Sequence, residues 1–367
     1  MVGGGVIGLA VAWRAAQAGV GVTVVDPDPG GGASHAAAGM LSPVFEAHPG
    51  EEALAGLNRA GYDRWPSFAA DLAGSTGVEL GFGRGGALAV ASTPDDQRAL
   101  DHLAACHERL GLAVRRLRPR ECRQREPWLA PSIRGGLGVD TEAAVDPRAV
   151  CRALIGAVEA AGGRFCADRA SRLRWDGERV DGVVTVHGGV VDADMVVLAT
   201  GAWAASPDLC GLAAPPVRPV KGQIVRLRFG PANPPLSRTL HVYSRGRTVY
   251  LVPRANGELV VGATVEERGF DLTVTAGAVA DLLQAAIDVL PVVAELEMVE
   301  TVARLRPGTP DNGPVIGATS VPGLVAAAGH YRNGVLLAPI TADAIMALVT
   351  TGEGIAEVAA FGPERFG

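Results

Sequence analysis

Gly3, Gly5 and Gly8 form a G-x-G-x-x-G turn, in the stretch Val2-Gly3-Gly4-Gly5-Val6-Ile7-Gly8, and no other feature limits the fold as strongly. An apolar segment of helical content, Val6 to Ala18, follows it, then a stop at Gly19 and a buried-strand pattern, Val22 to Val25, ending in Asp26. Turn, helix, strand and acid in that order predict the first half of a dinucleotide-binding βαβ unit. The glycines allow a tight turn and let the backbone approach a pyrophosphate. The N–H groups of the helix start, at Val6, Ile7 and Gly8, face that anion. Asp26, eighteen residues after Gly8, is placed to accept a hydrogen bond from a ribose. Only Met1 and Val2 precede the turn, so the strand that should lead into it is nearly absent. The expectation is that an in-frame apolar segment lies upstream of Met1. By itself the turn suits nicotinamide and flavin dinucleotides about equally.

At 367 residues, 48% apolar and 20% charged, the chain reads as globular and long enough for two domains. A net charge of −6 gives no general attraction to nucleic acid or to an anionic membrane. Five widely spaced cysteines (Cys106, Cys122, Cys151, Cys166 and Cys210) without a C-x-x-C pair argue against a disulfide framework or a metal site. They fit a reducing cytoplasm. The chain starts directly in the nucleotide turn, which leaves no room for a signal peptide, and no apolar run reaches the roughly 20 residues of a membrane span. Lys221 is the single lysine against 32 arginines, so a lone arginine is weak evidence of function.

Helices are predicted for Glu51 to Leu72, for Asp95 to Gly111 behind a Thr93 cap and Pro94, from Pro119, from Asp146-Pro147 to Glu159, and for Thr275 to Leu290. Strands are predicted at 86–91, 171–175, 180–187, 195–198, 217–229, 248–253, 259–264 and 324–327. The basic stretch Arg115 to Arg125 reads as solvated surface. The fold class expected is α/β. A discontinuous Rossmann-like domain (1–83, 143–213, 303–367) carries an inserted α+β domain (84–142, 214–302) on a mainly antiparallel sheet.

Several motifs together resemble one family. The small-residue loop Ala33-Ser34-His35-Ala36-Ala37-Ala38-Gly39-Met40-Leu41 resembles the flavin-contacting loop of the D-amino-acid oxidase-like flavoproteins. Ala199-Thr200-Gly201-Ala202-Trp203, Val217-Arg218-Pro219-Val220-Lys221-Gly222-Gln223, Leu305 to Gly317 and Ala328 to Pro339 extend the likeness to nearly the whole chain. The last two resemble the glycine oxidases that feed the thiazole branch of thiamine synthesis.

The resemblance implies non-covalent FAD, bound through Gly3, Gly5, Val6, Ile7, Gly8 and Asp26, and through Ala33, Ser34, Ala38, Gly39 and Met40. Gly201 and the turn His330, Tyr331, Arg332, Asn333, Gly334, Val335 and Leu336 complete that set. It implies hydride transfer from the Cα of a small amino acid to the flavin, and oxygen as the acceptor. Arg306 matches the carboxylate-binding arginine, Tyr250 the active-site tyrosine and Arg332 a second substrate-side arginine. The positive end of the helix after Gly329 would favour negative charge on the reduced flavin.

Thr248 stands where some relatives have histidine, and Val265 where some have methionine. His35 lies one place from the position of a covalent flavin link. Lys221 reads as a structural charge. The resemblance also admits a homo-oligomer and hand-off of product to a thiazole-forming enzyme. A sarcosine oxidase or a D-amino-acid dehydrogenase is the near alternative; a non-catalytic nucleotide-binding protein is the alternative of another class.

Overall fold

The computed structural model describes residues 1–206, 209, 214–231 and 235–366. Cys210 and the expected boundary at 213 lie outside the described residues.

Helix α1 (Val6–Gln17) starts at Gly5 and is buried along nearly its whole length. Strand β1 (Thr23–Val25) pairs in parallel with β7 (Arg164–Cys166). On the other flank, β11 (Val196–Leu198) runs parallel to β18 (Leu324–Ala328), which pairs antiparallel with β17 (Val315–Ala318). Val2 joins the two halves, forming parallel bridges to both Val25 and Leu198. Its N–H donates to Val197 O at 2.9 Å and its carbonyl accepts from Ala199 N at 2.8 Å. The two residues before the turn therefore occupy the central strand position of this sheet. A Cβ at Gly3 would stand 2.3 Å from Ala199 O, and one at Gly8 2.0 Å from Gly3 O, so glycine is required at both.

Helices α3 (Glu52–Thr76), α6 (Pro147–Ala160) and α8 (Gly334–Thr351) pack with α1 into the largest apolar core. Trp13 meets Phe68 edge-on there at 5.2 Å. Asp146 caps α6, accepting from Arg148 N at 3.0 Å, as its place before Pro147 predicts. By length and composition α8 could cross a membrane, at mean hydropathy 1.7, but 56% of it is buried among the other helices. It is a core helix in this fold. The short helix α2 (Ala33–Ala36) and the strand pair β2 (Met40–Leu41) with β6 (Ala143–Ala144) lie beside this core. Strands β8 (Ala170–Asp176), β9 (Arg179–Thr185) and β10 (Val190–Asp192) form a small antiparallel sheet.

The second layer is an eight-stranded sheet ordered β16-β12-β15-β14-β13-β3-β5-β4. Its members are β3 (Ala87–Ala91), β4 (Arg115–Leu117), β5 (Gly135–Val139), β12 (Arg218–Arg228), β13 (Thr239–Ser244), β14 (Arg247–Pro253), β15 (Glu258–Gly262) and β16 (Glu297–Gly308). Every pairing is antiparallel except β13 with β3. One face packs on α7 (Ala276–Val289), and helix α5 (Pro119–Arg125) closes the same core. Helix α4 (Pro94–Arg109) begins with a reciprocal cap between Thr93 and Asp96, as expected from Thr93-Pro94. The opposite face turns toward α2 and β2, with Tyr250, Val252, Val260 and Ile224 packed on Ala36 and Ala38.

β16 belongs to the large sheet over its whole length, so a division at 303 falls inside a strand.

Candidate functional site

The site lies where the large sheet faces the Gly3–Gly8 turn, α2 and the start of α8. Side chains two apart on a strand share a face. On β16 this brings Glu300, Arg304 and Arg306 together; on β14 it aligns Thr248 and Tyr250. His241 of β13 pairs directly with Tyr250.

Two glycines in the sheet floor seat the pair that sequence singled out. A Cβ on Gly222 would stand 2.3 Å from Arg306 Nη1 and 2.6 Å from its Cζ, so the guanidinium lies flat over that residue. A Cβ on Gly262 would stand 2.5 Å from the Tyr250 hydroxyl. Arg306 makes one hydrogen bond, Nη1 to Thr264 O at 3.1 Å, and no ion pair among the described residues. Burial raises the Tyr250 pKa, and the neighbouring Arg306 opposes that rise. Thr248 and Val265, the two departures from the family pattern, are both exposed.

Arg332 does not join this pair through a free guanidinium. Its Nε lies 2.7 Å from Glu46 Oε2 and its Nη2 donates to Glu51 Oε2 at 2.5 Å. Both acids are mostly buried, and neither was singled out by sequence. The nearby negative charge of Glu46 raises the pKa values of Tyr250, Tyr243 and His241, against or beside the effect of burial. His241 meets Phe45 at a tilt, ring centroids 4.7 Å apart, and burial depresses its pKa to about 4, so it is neutral near pH 7. The loop carrying Glu46 is pinned from behind. Glu142 Oε1 accepts Val44 N at 3.1 Å and Phe45 N at 2.9 Å, while burial pushes the Glu142 carboxyl up to about 7.

The dinucleotide residues converge on the same side. Ser34 Oγ accepts Val6 N–H at 2.9 Å, tying α2 to the start of α1. Ile7 and Gly8 have no acceptor within their own helix, because the first intrahelical bond is Leu9 N–H to Gly5 O. Asp26 caps β1, accepting Gly4 N at 2.6 Å and Asp28 N at 2.7 Å, which leaves lone pairs on both oxygens.

In the second turn, Gly329 has φ +71° and Tyr331 a left-handed φ of +46°. Tyr331 N–H donates to Pro307 O at 2.9 Å, so this turn is held to the residue after Arg306. His330 is buried against Thr341, Nε2 to Oγ1 at 2.9 Å, and burial lowers its pKa to about 3. Asn333 precedes Gly334, Val335 and Leu336, whose N–H groups open α8, and its buried Nδ2 has no partner. Gly201 adopts φ +57° at the end of β11, with open space where a Cβ would be.

These features fit a flavin dinucleotide. Two helix starts with free N–H groups face the site, a glycine cradle admits close backbone approach, and the buried Asn333 amide is an unused donor. His35 lies 3.4 Å from Glu300 Oε1. Lys221 lies on the opposite face of β12 and donates to Asp271 at 2.6 Å, a structural pair. No cluster of metal-ligating side chains exists among the described residues.

Residues 1–348 match the family described as FAD dependent oxidoreductase. The chain is 35% identical over 362 residues to the bifunctional protein ThiO/ThiG of a Nostoc species, covering 95% of this chain and 52% of that protein. It spans about half the length of the three ThiO/ThiG relatives it matches. It is 32% identical over 369 residues to the glycine oxidase of Geobacillus kaustophilus, covering 100% of this chain and 96% of that enzyme. The crystal structure of glycine oxidase from that organism superimposes with a TM-score of 0.88 at 31% identity, covering 98% and 96% of the two chains. The iminodiacetate oxidase of a Chelativorans species gives 0.88 at 26% identity, covering 99% and 98%. Matched along nearly its full length, and with both helix starts and the glycine cradle in place, the chain belongs to the FAD dependent oxidoreductase family.

Proposed function

We propose that the chain is an FAD-dependent glycine oxidase. Glycine, with sarcosine and D-alanine as lesser substrates, loses two electrons and two protons, a hydride from Cα and a proton from nitrogen, to become an imine. Water then releases glyoxylate and ammonia from the glycine imine, and oxygen is reduced to hydrogen peroxide. Arg306 carries this reading. It is a half-buried guanidinium lying over a bare glycine, beside the Tyr250 hydroxyl, and it meets one backbone carbonyl and no carboxylate among the described residues. Its remaining donors match a carboxylate fork.

Bound FAD would supply the acceptor for the Cα hydride and the route for the electron pair to oxygen. The protein's own contribution is placement. Arg306 holds the substrate carboxylate and Tyr250 donates a hydrogen bond to it. The Glu46–Arg332–Glu51 pairing forms a wall with the arginine charge already compensated, so the carboxylate is drawn to Arg306. Neutral His241 and Phe45 close the pocket against water. The Gly3–Gly8 turn with Asp26, the loop Ala33 to Met40, Gly201 and the turn His330 to Leu336 would hold the dinucleotide. We assign the large sheet, with β16 complete, to the substrate side and the rest to the FAD side.

Relatives named as bifunctional ThiO/ThiG proteins support a second element of the proposal, delivery of the short-lived imine to a thiazole-forming partner. Four described cysteines, all unpaired, suit work in the cytoplasm. The test is an oxygen-electrode and peroxide assay with glycine, sarcosine and D-alanine, alongside Arg306→Ala. Turnover highest on glycine and lost in the variant is expected. A colourless protein that takes up no FAD, or a variant as active as the parent, refutes the reading. Greater turnover on sarcosine or D-alanine would reassign the substrate within the family.

A further inference from the structure

The loop Gly31-Gly32-Ala33-Ser34-His35-Ala36-Ala37-Ala38-Gly39 offers almost no side chain by which it can be held. A segment that must leave room for a cofactor has only its carbonyls to give. Three of these are gripped by arginines. Arg304 Nε donates to Gly31 O at 2.8 Å. Arg148 Nε donates to His35 O at 2.9 Å, and its Nη2 is steered by Glu300 Oε2 at 2.7 Å. Arg254 Nη2 donates to Ala38 O, and its Nη1 to Val145 O at 2.9 Å. Val145 N–H in turn donates to Gly39 O at 2.9 Å.

The position of these arginines along the chain matters as much as their bonds. Arg304 is two residues before Arg306 on β16. Arg254 is four residues after Tyr250, just past the end of β14. At ~3.3 Å per residue, each gripping arginine stands about 7 to 13 Å from a substrate-holding side chain along one extended strand. Arg254 is nine-tenths buried, and burial lowers its pKa to about 10, so it stays charged at neutral pH.

We propose that Arg254 and Arg304 are positioning residues that register the FAD-contacting loop against Tyr250 and Arg306, with Arg148 bracing the loop between them. The two rigid strands fix the substrate and the loop in one frame. The inference rests on the FAD and substrate assignments above.

It is tested with Arg304→Met, Arg304→Lys and Arg254→Met, each as FAD-loaded full-length protein. The readouts are FAD dissociation, visible circular dichroism of the bound flavin, the affinity for glycolate read from flavin absorbance, and anaerobic flavin reduction by glycine. Loss of one charge-assisted bond is expected to weaken FAD binding about 10-fold or more and to alter the dichroism. Flavin reduction at saturating glycine should fall by roughly 10- to 100-fold per bound flavin. Glycolate affinity should change less than about threefold, because Arg306 and Tyr250 are untouched. Arg304→Lys keeps the charge and one donor and should recover most of the FAD affinity.

Unchanged FAD affinity and dichroism, with only a lower melting temperature, overturns the proposal. If Arg254→Met does not fold, Arg304→Met, altered at the partly exposed edge strand, decides alone. FAD binding and dichroism need no substrate, so their failure is separate from a parent protein that binds FAD yet leaves glycine unoxidised.

Discussion

Gly222→Ala should disable substrate binding while leaving the protein folded. The added Cβ would lie 2.3 Å from Arg306 Nη1 and 2.6 Å from both Cζ and Nη2. Ordinary contact begins at about 3.5 Å, so the guanidinium must retreat by roughly 1 Å. The obstructed group is the tip of a flexible side chain, not backbone, and the strand itself accepts alanine. A melting temperature within about 2 °C of the parent is therefore expected. A misplacement of ~1 Å in a clamping group costs roughly 100-fold. At ~1.36 kcal/mol per factor of ten, that is about 2.7 kcal/mol of lost transition-state stabilisation.

The loss should appear mainly as a higher KM for glycine and weaker glycolate binding, with FAD affinity intact. Gly156→Ala is the control, because no atom lies within 4 Å of a Cβ at that position in α6. A Gly222→Ala enzyme whose glycine KM stays within threefold of the parent would sink the assignment of Arg306 as the carboxylate clamp.

Tyr250→Phe removes one hydroxyl donor and should lower kcat/KM about 10-fold with FAD affinity unchanged, measured by steady-state kinetics. A change within twofold would mean that the hydroxyl does not touch substrate. Glu142 gives a pH-dependent prediction. Its folded pKa, about 7, is raised above the usual 4.5, so its contribution is whole below pH 4.5 and is lost as pH rises toward 7. Glu142→Gln keeps an acceptor for Val44 and Phe45 N–H but cannot ionise. Urea unfolding should show no gain at pH 4.5 and a gain of up to roughly 3 kcal/mol at pH 8. Parallel pH curves for the two proteins would refute the buried-carboxylate account.

Much of the fold could be read from sequence because periodicity and punctuation agree there. The glycine turn, α1 and β1 follow from spacing, and the caps at Thr93 and Asp146 follow from residue type. Four strands of the large sheet escaped: β4 is a three-residue edge strand with two exposed arginines, and the other three have reasons of their own. β16 carries Arg304 and Arg306 where a buried strand would show apolar residues, because that face is half-buried and its arginines bond to backbone carbonyls. β13 carries His241 and Tyr243 at such positions, with neutral His241 packed against Phe45. β5 is rich in glycine because a Cβ at Gly136 would lie 2.3 Å from Ala89 O, and one at Gly138 would lie 3.0 Å from Leu117 Cδ1. A usable signal for the site was present but not taken. Gly222 and Gly262 each interrupt or end an apolar strand pattern, and an isolated glycine in a strand marks close approach by another group.

What sequence could not supply was the division of labour among arginines. With 32 of them, residue type carries little information; the surroundings decide. Arg332 lies within the turn 330–336, yet Glu46 and Glu51 occupy its guanidinium. Arg148 is steered by Glu300, and Arg304 and Arg254 meet only carbonyls. Arg306 shares a face of the same strand with Arg304 but lies over Gly222, where no carboxylate among the described residues pairs with it. A cation stripped of part of its hydration and left without a counter-ion is costly unless a ligand supplies one. That cost, borne by Arg306 and relieved at Arg332 by long-range partners absent from its local sequence, is why the first fits a substrate carboxylate and the second fits a wall.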